Sequence, residues 1–114
     1  MGKLEKGQRW VFDADIDSSS PGDGVTRKVL AHNDDAMCVV HIFEKGAVGS
    51  LHSHPHTQIT YVESGAFEFE IDGEKKVVKK GDSMYKADGV LHGCKCLEAG
   101  TLIDFFAPMR EDFV

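Results

Sequence analysis

A short run of histidines between positions 52 and 58 limits the folds open to this chain more than any other feature. His52, His54 and Gln58 are separated by even numbers of residues. Alternate side chains of a β-strand point to the same face, so a strand would aim all three to one side. In a helix, residues two apart diverge by roughly 200° and could not hold one ligand together, and Pro55 also disfavours a helix. The run therefore predicts an edge or bulged strand with three polar side chains on one face.

The same side chains have the chemistry of a metal site. Imidazole nitrogens are the commonest protein ligands of transition metals, and His92 is a fourth candidate, 34 residues beyond Gln58. Gln58 can coordinate only through its neutral amide oxygen, so the ion would keep its full dipositive charge and be a good Lewis acid. We predict a divalent transition metal bound by His52, His54, Gln58 and His92. Nickel, zinc, iron, copper and manganese all suit these ligands, and the spacing does not choose among them.

Three other side chains leave the ligand set open. His56 has the same parity as the ligands before it, although a local kink could turn it away. Cys94 and Cys96 share the parity of His92, so a thiolate ligand is an alternative. With Cys38, the cysteines form neither an even disulfide set nor a C-x-x-C motif, which predicts buried free thiols.

The length and composition predict one globular domain over residues 1–114. Hydrophobic residues make up 41% and charged residues 28%, both ordinary values for a soluble protein. The net charge of −6 disfavours nucleic acids and anionic membranes as partners, whereas a small anion needs only a local positive centre. No apolar run approaches the ~20 residues of a membrane span, and the polar start from Met1 to Arg9 lacks the apolar stretch of a signal peptide. We therefore expect a cytoplasmic protein.

Alternating patterns predict strands along most of the chain. Residues 66–71 alternate apolar and acidic side chains and 74–79 follow after Asp72-Gly73, which predicts a β-hairpin with a two-residue turn. Its core-facing residues are predicted to be Phe67, Phe69 and Ile71. Residues 18–24 predict a loop. The remaining strands are predicted at 25–30, 37–43, 59–62 (continuing the histidine strand), 83–86, 91–97 and 101–106, with Pro108 ending the last. Frequent turn signals and the lack of a helical period favour an all-β sandwich or barrel.

With these residues in place, the chain resembles a cupin. The first cupin motif is Gly, five residues, His-x-His, three or four residues, an acidic ligand, six residues and Gly, and here Gln58 replaces the acidic ligand. The second motif is Gly, five residues, Pro-x-Gly, two residues, His, three residues and Asn, and here Ala87 replaces the Pro and Cys96 the Asn. The matching residues are Gly46, His52, His54, Gln58, Gly65, Gly81, Gly89 and His92. The resemblance implies a jelly-roll β-barrel in which His52, His54, Gln58 and His92 meet at one metal.

A narrower resemblance is to the KdgF-type cupins of pectin and alginate breakdown. It rests on His-Pro-His-x-Gln at 54–58, on Phe-Glu-Phe-Glu-Ile-Asp-Gly-Glu at 67–74, and on the C-terminal stretch 100–113. Enzymes of this kind open the ring of 4,5-unsaturated monouronates to give linear keto sugars. The resemblance implies a small anionic sugar as ligand, a homodimer, and catalytic roles for Asp104, Phe106 and Arg110.

The residues themselves suit these roles. Asp104 interrupts an apolar strand, and a buried charge there must be compensated or functional. It shares parity with Leu102 and Phe106, so the three are expected to line one face. In the implied reaction Arg110 and the metal hold the substrate carboxylate, Asp104 shuttles a proton and Phe106 shields the sugar ring. Arg27 is predicted to be a surface strand residue rather than a second anion contact.

Two other functions remain open at the level of sequence. A ligand-binding or sensory cupin would keep the metal but need no acid–base residue, so an outward-facing Asp104 would favour it. A metal-dependent dioxygenase or sugar isomerase is the other alternative, although Gln58 speaks against iron oxygenases, which commonly use a carboxylate ligand.

Overall fold

Antiparallel strands account for most of the fold. The computed structural model describes residues 4–114. The strands are β1 Ser19–Gly22, β2 Val25–His32, β3 Met37–Phe43, β4 Val48–His52, β5 Thr57–Val62, β6 Ala66–Ile71, β7 Glu74–Lys79, β8 Ser83–Lys86, β9 His92–Glu98 and β10 Gly100–Ala107. Single-turn 3-10 helices lie at Asp13–Asp15 and Glu111–Phe113. Within the described part of the chain, no helix has the length and apolar character needed to cross a membrane.

The strands form two antiparallel sheets that face each other. The larger sheet has the order β1-β2-β3-β10-β5-β8 and the smaller has the order β4-β9-β6-β7. The predicted all-β jelly roll is confirmed, with the two sheets separately hydrogen-bonded instead of joined in one closed ring. The main core lies between them and consists of Val25, Phe43, Ala47, Val62, Phe67, Phe69, Cys96 and Leu102.

The strands and the turn of the predicted hairpin are confirmed. β6 and β7 pair from Ala66 opposite Lys79 to Ile71 opposite Glu74. Asp72 and Gly73 have φ of 51° and 80°, the two positive values that a type I′ turn requires and that Asp-Gly favours. Phe67 and Phe69 are buried as predicted, whereas Ile71, at the end of the strand, is only half-buried.

The prediction of one continuous histidine strand is wrong. β4 ends at His52 in the smaller sheet, and β5 begins at Thr57 in the larger one. Between them the chain turns at Pro55, which has no N–H to donate to a ladder. The His54 carbonyl accepts hydrogen bonds from the backbone N–H groups of His56 and Gly89, at 2.8 and 3.0 Å. The run therefore crosses from one sheet to the other.

The predicted loop over residues 18–24 also needs correction. Residues Ser19–Gly22 form strand β1, which pairs with β2 through Ser19 opposite Arg27 and Gly22 opposite Val25. The Ser20 hydroxyl donates to the carbonyl of Val25 at 3.0 Å. Strand formation therefore comes from pairing with β2 and not from the local composition, which resembles that of a loop.

Candidate metal centre and its cavity

Three of the four predicted metal ligands come together at one end of the space between the sheets. One ring nitrogen from each of His52, His54 and His92 lies within 4.8 Å of the others. His52 and His92 are opposite each other in the β4–β9 pair, with ring centroids 4.5 Å apart. His54 reaches the same point from the connection between the sheets, with its ring centroid 5.0 Å from that of His92. Three imidazoles in this arrangement could hold a metal ion.

The hydrogen bonds of these rings fit metal binding. His52 Nδ1 lies 2.6 Å from the Ser50 carbonyl and His92 Nδ1 lies 3.0 Å from the Val90 carbonyl. Because a carbonyl only accepts, each Nδ1 carries the proton and leaves the Nε2 lone pair free. Nε2 of His92 is buried without a hydrogen-bond partner among the described residues. Metal-bound histidines commonly donate their other N–H in this way, so the site explains an otherwise unsatisfied atom.

Gln58 presents its amide oxygen to the histidines. Its Nε2 donates to Asp104 Oδ1 at 2.8 Å, and its Oε1 lies 3.0 Å from His54 Nε2. Because the carboxylate only accepts, Asp104 fixes which end of the amide faces the histidines. Neighbouring ligands of one ion lie about 3 Å apart when the bonds to the metal are ~2.1 Å. The spacing of His54 Nε2 and Gln58 Oε1, joined by a hydrogen bond here, therefore also suits two donors to one transition metal, which makes Gln58 a candidate fourth ligand.

Burial keeps two of the clustered histidines, His54 and His92, neutral. Burial lowers the pKa of His54 to about 4, and the charge of Arg110 adds to the effect. Burial likewise lowers the pKa of His92 to about 4. Metal binding requires unprotonated imidazole, so these two rings are in the required state at neutral pH.

The other candidate ligands lie outside this cluster. His56 is half-buried, and its ring centroid is 5.1 Å from that of His54. Cys94 lines the cavity, but burial raises its pKa to about 11, which keeps it a thiol. Cys96 lies in the apolar core.

Asp104 faces the interior and is the centre of a hydrogen-bond network. Its Oδ1 accepts from Gln58 and from the Thr60 hydroxyl, and its Oδ2 lies 2.7 Å from His41 Nδ1. Burial alone would raise the pKa of Asp104, but the bonds from His41 and Thr60 and the charge of Lys86 lower it to about 2. The carboxylate is therefore ionised although its side chain is almost fully buried.

Lys86 is an uncommon feature of the site because its side chain is also buried, at 2% exposure. Its Nζ donates to Thr60 Oγ1 at 2.7 Å and lies 4.8 Å from the centroid of the Phe69 ring. Burial lowers the pKa of Lys86, and the nearby charge of Asp104 opposes this. Thr60 therefore links the amine to the carboxylate.

The C-terminal residues close one side of the cavity. Two guanidinium groups contact the Phe113 ring, with Cζ of Arg27 3.7 Å and Cζ of Arg110 4.3 Å from its centroid. Arg110 also makes a two-point ion pair with Asp112, at 2.9 and 2.7 Å, and lies 5.4 Å from the Phe106 ring. Two arginines therefore place positive charge at the cavity of an acidic protein.

These groups surround a cavity of about 380 Å³ between the sheets. This is near the lower end of the ~300–1,000 Å³ typical of small-molecule sites. The catalytic residues implied by resemblance, Asp104, Phe106 and Arg110, all line it, and so do His52, Gln58 and His92. As predicted, Leu102, Asp104 and Phe106 share one face of β10.

The fold and this constellation agree with the comparison to known proteins. The sequence model of the cupin domain matches residues 39–105, which is more than half of the chain. The chain belongs to the cupin family. The matched residues include all four candidate ligands and Asp104, while Phe106 and Arg110 lie just beyond them.

Full-length relatives cover the rest of this cupin. It is 42% identical over 109 residues to the pectin degradation protein KdgF of Dickeya dadantii (strain 3937), covering 94% of this chain and 99% of that protein. An RmlC-like cupin from Shewanella frigidimarina NCIMB 400 is 39% identical with a TM-score of 0.92, covering 97% and 100% of the two chains. The structure of KdgF from Halomonas sp. is 38% identical with a TM-score of 0.88, covering 94% and 99%.

Three cavity residues of this cupin were not identified as such from the sequence. Arg27, predicted at the surface, lines the cavity, and so do His41 and Lys86. A signal was present for two of them, because Arg27 shares the parity of buried Val25 and His41 shares that of buried Phe43. Lys86 ends a four-residue strand, too short for alternation to place it inside or outside.

Proposed function

We propose that this cupin is a metal-dependent enzyme that opens 4,5-unsaturated monouronates and promotes their tautomerisation to linear keto sugars, as a step in pectin or alginate breakdown. The observation that carries the proposal is the orientation of Asp104, which faces the cavity and contacts Gln58. A cupin that only binds a ligand needs no such buried carboxylate. Full-length similarity to proteins named KdgF, one of them named for pectin degradation, supports the choice of substrate.

The proposed metal ligands are His52, His54, Gln58 and His92. The ion is a divalent transition metal such as nickel, zinc, iron or manganese, since nitrogen and neutral oxygen donors suit each of them. When bound, it supplies Lewis acidity for negative charge that develops on a substrate oxygen. The neutral donors leave that acidity undiminished.

Arg110 and Phe106 are the proposed substrate contacts. A guanidinium can grip a carboxylate in two-point fashion, as Arg110 already does with Asp112. We propose that the substrate carboxylate takes the place of Asp112 on Arg110. Phe106 is buried at the base of the cavity, where its ring shields the sugar from water and orients it.

Asp104 is proposed to act as a fixed negative charge. The bonds that lower its pKa to about 2 also occupy both of its oxygens. It holds the Gln58 amide towards the histidines and the His41 ring towards the cavity. Its contribution is orientation and charge stabilisation at the reacting centre.

A direct assay tests the proposal. The protein, loaded with one metal at a time, is incubated with an unsaturated monouronate, and the ultraviolet absorbance of its conjugated double bond is followed. We expect loss of absorbance well above the rate without protein, an aldehyde in the product, and no activity after chelation. Asp104→Ala should abolish turnover, while Asp35→Ala, at an exposed carboxylate, serves as the matched control.

A ligand-binding cupin is the alternative outcome. If every metal-loaded form binds the sugar but leaves the absorbance unchanged, the enzymatic proposal is wrong and a sensory role takes its place. Oxygen uptake with a phenolic substrate would favour the dioxygenase alternative instead.

We also propose a homodimer, formed through the outer face of the larger sheet. Two apolar rows cross this face in register. In the first row, Phe105 of β10 lies opposite Cys38 of β3 on one side and Ile59 of β5 on the other, and Ile59 in turn lies opposite Tyr85 of β8. The second row joins Val40, Ile103 and Tyr61. Phe105, Ile59, Tyr61 and Tyr85 are between 41% and 67% exposed, and a contiguous apolar patch of this kind suits an interface.

A second copy is the proposed occupant because an exposed apolar sheet face can pair with itself about a two-fold axis. Sedimentation analysis of the wild type is expected to give a dimer, and Phe105→Lys a monomer that keeps its metal. Val77→Lys, an exposed apolar position on the smaller sheet, is the matched control. A monomeric wild type at micromolar concentration would exclude the dimer.

A further inference from the structure

His41 faces the cavity between two charged groups. Its Nδ1 lies 2.7 Å from Asp104 Oδ2, and Arg27 Nε donates to its Nε2 at 3.0 Å. Because a guanidinium can only donate, Nε2 accepts, and the ring proton lies on Nδ1 and is donated to Asp104. The two neighbours thus set the tautomer of His41. Its one basic lone pair, on Nε2, accepts the hydrogen bond from Arg27.

Asp104 is a poor carrier of the proton that the proposed reaction must move. Both of its oxygens are occupied by donors, Oδ1 by Gln58 and Thr60 and Oδ2 by His41, so neither is free to take a proton from a substrate. An efficient acid–base group has a pKa near the operating pH. Imidazole is the side chain that meets this condition without perturbation, and a carboxylate behind it stabilises the imidazolium that forms.

We propose that His41 is the acid–base residue of this cupin, that Asp104 positions it, and that Arg27 frees its Nε2 by turning onto the carboxylate of the substrate. This inference rests on the proposed function, whose site it completes. It assigns two residues that line the cavity and that the family resemblance does not mark.

Arg27 is suited to this exchange. Its Nε is bound to His41, its guanidinium stacks on Phe113, and among residues 4–114 it makes no ion pair with a carboxylate. Burial and the like charge of Arg110 lower the pKa of Arg27, whereas the charges of Asp112 and Asp104 act in the opposite direction. A substrate carboxylate relieves that repulsion and offers Arg27 a stronger acceptor than imidazole.

The proton movement balances within the substrate. The hemiacetal hydroxyl gives its proton to Nε2 of His41, and the electron pair of that O–H bond forms the aldehyde C=O. The bond between the anomeric carbon and the ring oxygen breaks, and its pair stays on the ring oxygen as an enolate. The imidazolium then returns the proton to the enolate carbon, and the ring oxygen becomes the ketone oxygen. The product is an isomer of the substrate, and His41 regains its starting form.

The charged groups around His41 come from several elements. Asp104 of β10 and Arg27 of β2 contact the ring. Lys86 of β8 reaches Asp104 through Thr60, and Arg110 and Asp112 of the C-terminal segment lie beyond Phe113. The pH dependence of catalysis reports on this whole group, so ring spectroscopy is needed to assign it.

The first experiment compares His41→Gln with His32→Gln. His32 is buried on the same sheet and contacts the Leu30 carbonyl, away from the cavity. We expect His41→Gln to lower kcat by about 10²–10⁴-fold and to remove the acidic limb of the pH–rate profile, with metal content and melting temperature near the wild-type values. His32→Gln should keep kcat within about threefold. A His41→Gln enzyme with wild-type kcat and pH profile would overturn the proposal.

The second experiment does not depend on turnover, and its main comparison uses the wild type. In zinc-loaded protein labelled with ¹⁵N, the Nε2 resonance of His41 is followed while galacturonate, a saturated uronate, or neutral galactose is added. We expect galacturonate, but not galactose, to shift the resonance towards the value of an imidazole nitrogen whose lone pair accepts no hydrogen bond. The Arg27→Gln variant should show this shifted value before any ligand is added. If galacturonate binds and Nε2 stays unchanged, the role of Arg27 is wrong. If galacturonate shifts the resonance in the wild type but no metal-loaded form turns over the unsaturated monouronate, the proposed function fails while the Arg27 exchange stands.

Discussion

Asp104→Asn is the substitution whose cost can be worked out most directly from the structure. The pKa of Asp104 falls from 3.8 to about 2 on folding. Because one pKa unit corresponds to ~1.4 kcal/mol, ionisation of this group contributes about 2 kcal/mol to stability at pH 7. Asparagine replaces one carboxylate oxygen by an NH₂ group, which then faces either the His41 donor or the Gln58 and Thr60 donors. The donors left without an acceptor add about 1–3 kcal/mol to the loss of stability. The expected loss is about 3–5 kcal/mol, a large part of the ~5–15 kcal/mol of a typical domain.

The loss should depend on pH in one direction. Since the folded pKa is the lower one, the stabilisation is complete above about pH 4 and is lost as the pH falls towards 2. Urea unfolding of wild type and variant is measured in chelator, so that metal binding does not contribute, at steps from pH 7 to pH 3. We expect the gap between the two proteins to be constant from pH 7 to about 5 and to narrow below about pH 4.

An exposed carboxylate provides the control. Asp35 makes no side-chain hydrogen bond among the described residues, and Asp35→Asn should change the free energy of unfolding by less than ~0.5 kcal/mol at every pH. A cost of under ~1 kcal/mol for Asp104→Asn at pH 7, or a gap that does not respond to acid, would refute the account of Asp104 as an ionised, fully bonded group.

Three further predictions concern the metal, the fold and the cavity wall. Adding zinc to metal-free protein should raise the melting temperature measured by thermal unfolding, because zinc at 100 times its dissociation constant adds about 2.7 kcal/mol to the free energy of unfolding. His92→Ala should remove this rise, and His32→Ala should keep it. Gly100→Ala should lower the free energy of unfolding by several kcal/mol in the same measurement, because a Cβ at this position would clash with the carbonyl oxygen of Ser64. Gly22→Ala is the control, since a Cβ there would meet nothing within 4 Å. Phe113→Ala should weaken galacturonate binding about 10- to 100-fold by calorimetry, since two cation–π contacts of ~0.5–2 kcal/mol each are lost, and unchanged affinity would contradict this.

Much of the fold could be predicted because its determinants are local. The β6–β7 hairpin is specified by period-two alternation on both sides of Asp72-Gly73, and the turn chemistry fixes its register. The crossing at residues 53–56 is different. Parity grouped His52 with His54, which do converge, but it could not exclude His56, which lies outside the cluster. It also presumed a continuous strand, whereas the partners that end β4 and begin β5 lie far away along the chain.

The site was predictable to the extent that its residues are rare in their surroundings. A cluster of histidines and an aspartate in an apolar strand stand out, whereas Arg27 looks like any polar residue of an alternating strand. Its place in the cavity depends on Phe113, more than 80 residues further along, which provides a ring to stack on. Contacts between such distant positions leave no trace in one sequence without an alignment.

The division of donors between the sheets has a consequence for how this protein can change. His52 and His92 belong to the smaller sheet, Gln58 to the larger, and His54 to the connection between them. The separation of the donors is therefore set by the thickness of the apolar layer, where Phe43 meets Phe67 at 5.3 Å. Enlarging or trimming those rings would change the spacing of the proposed ligands, so we expect ion preference to respond to substitutions that contact none of them.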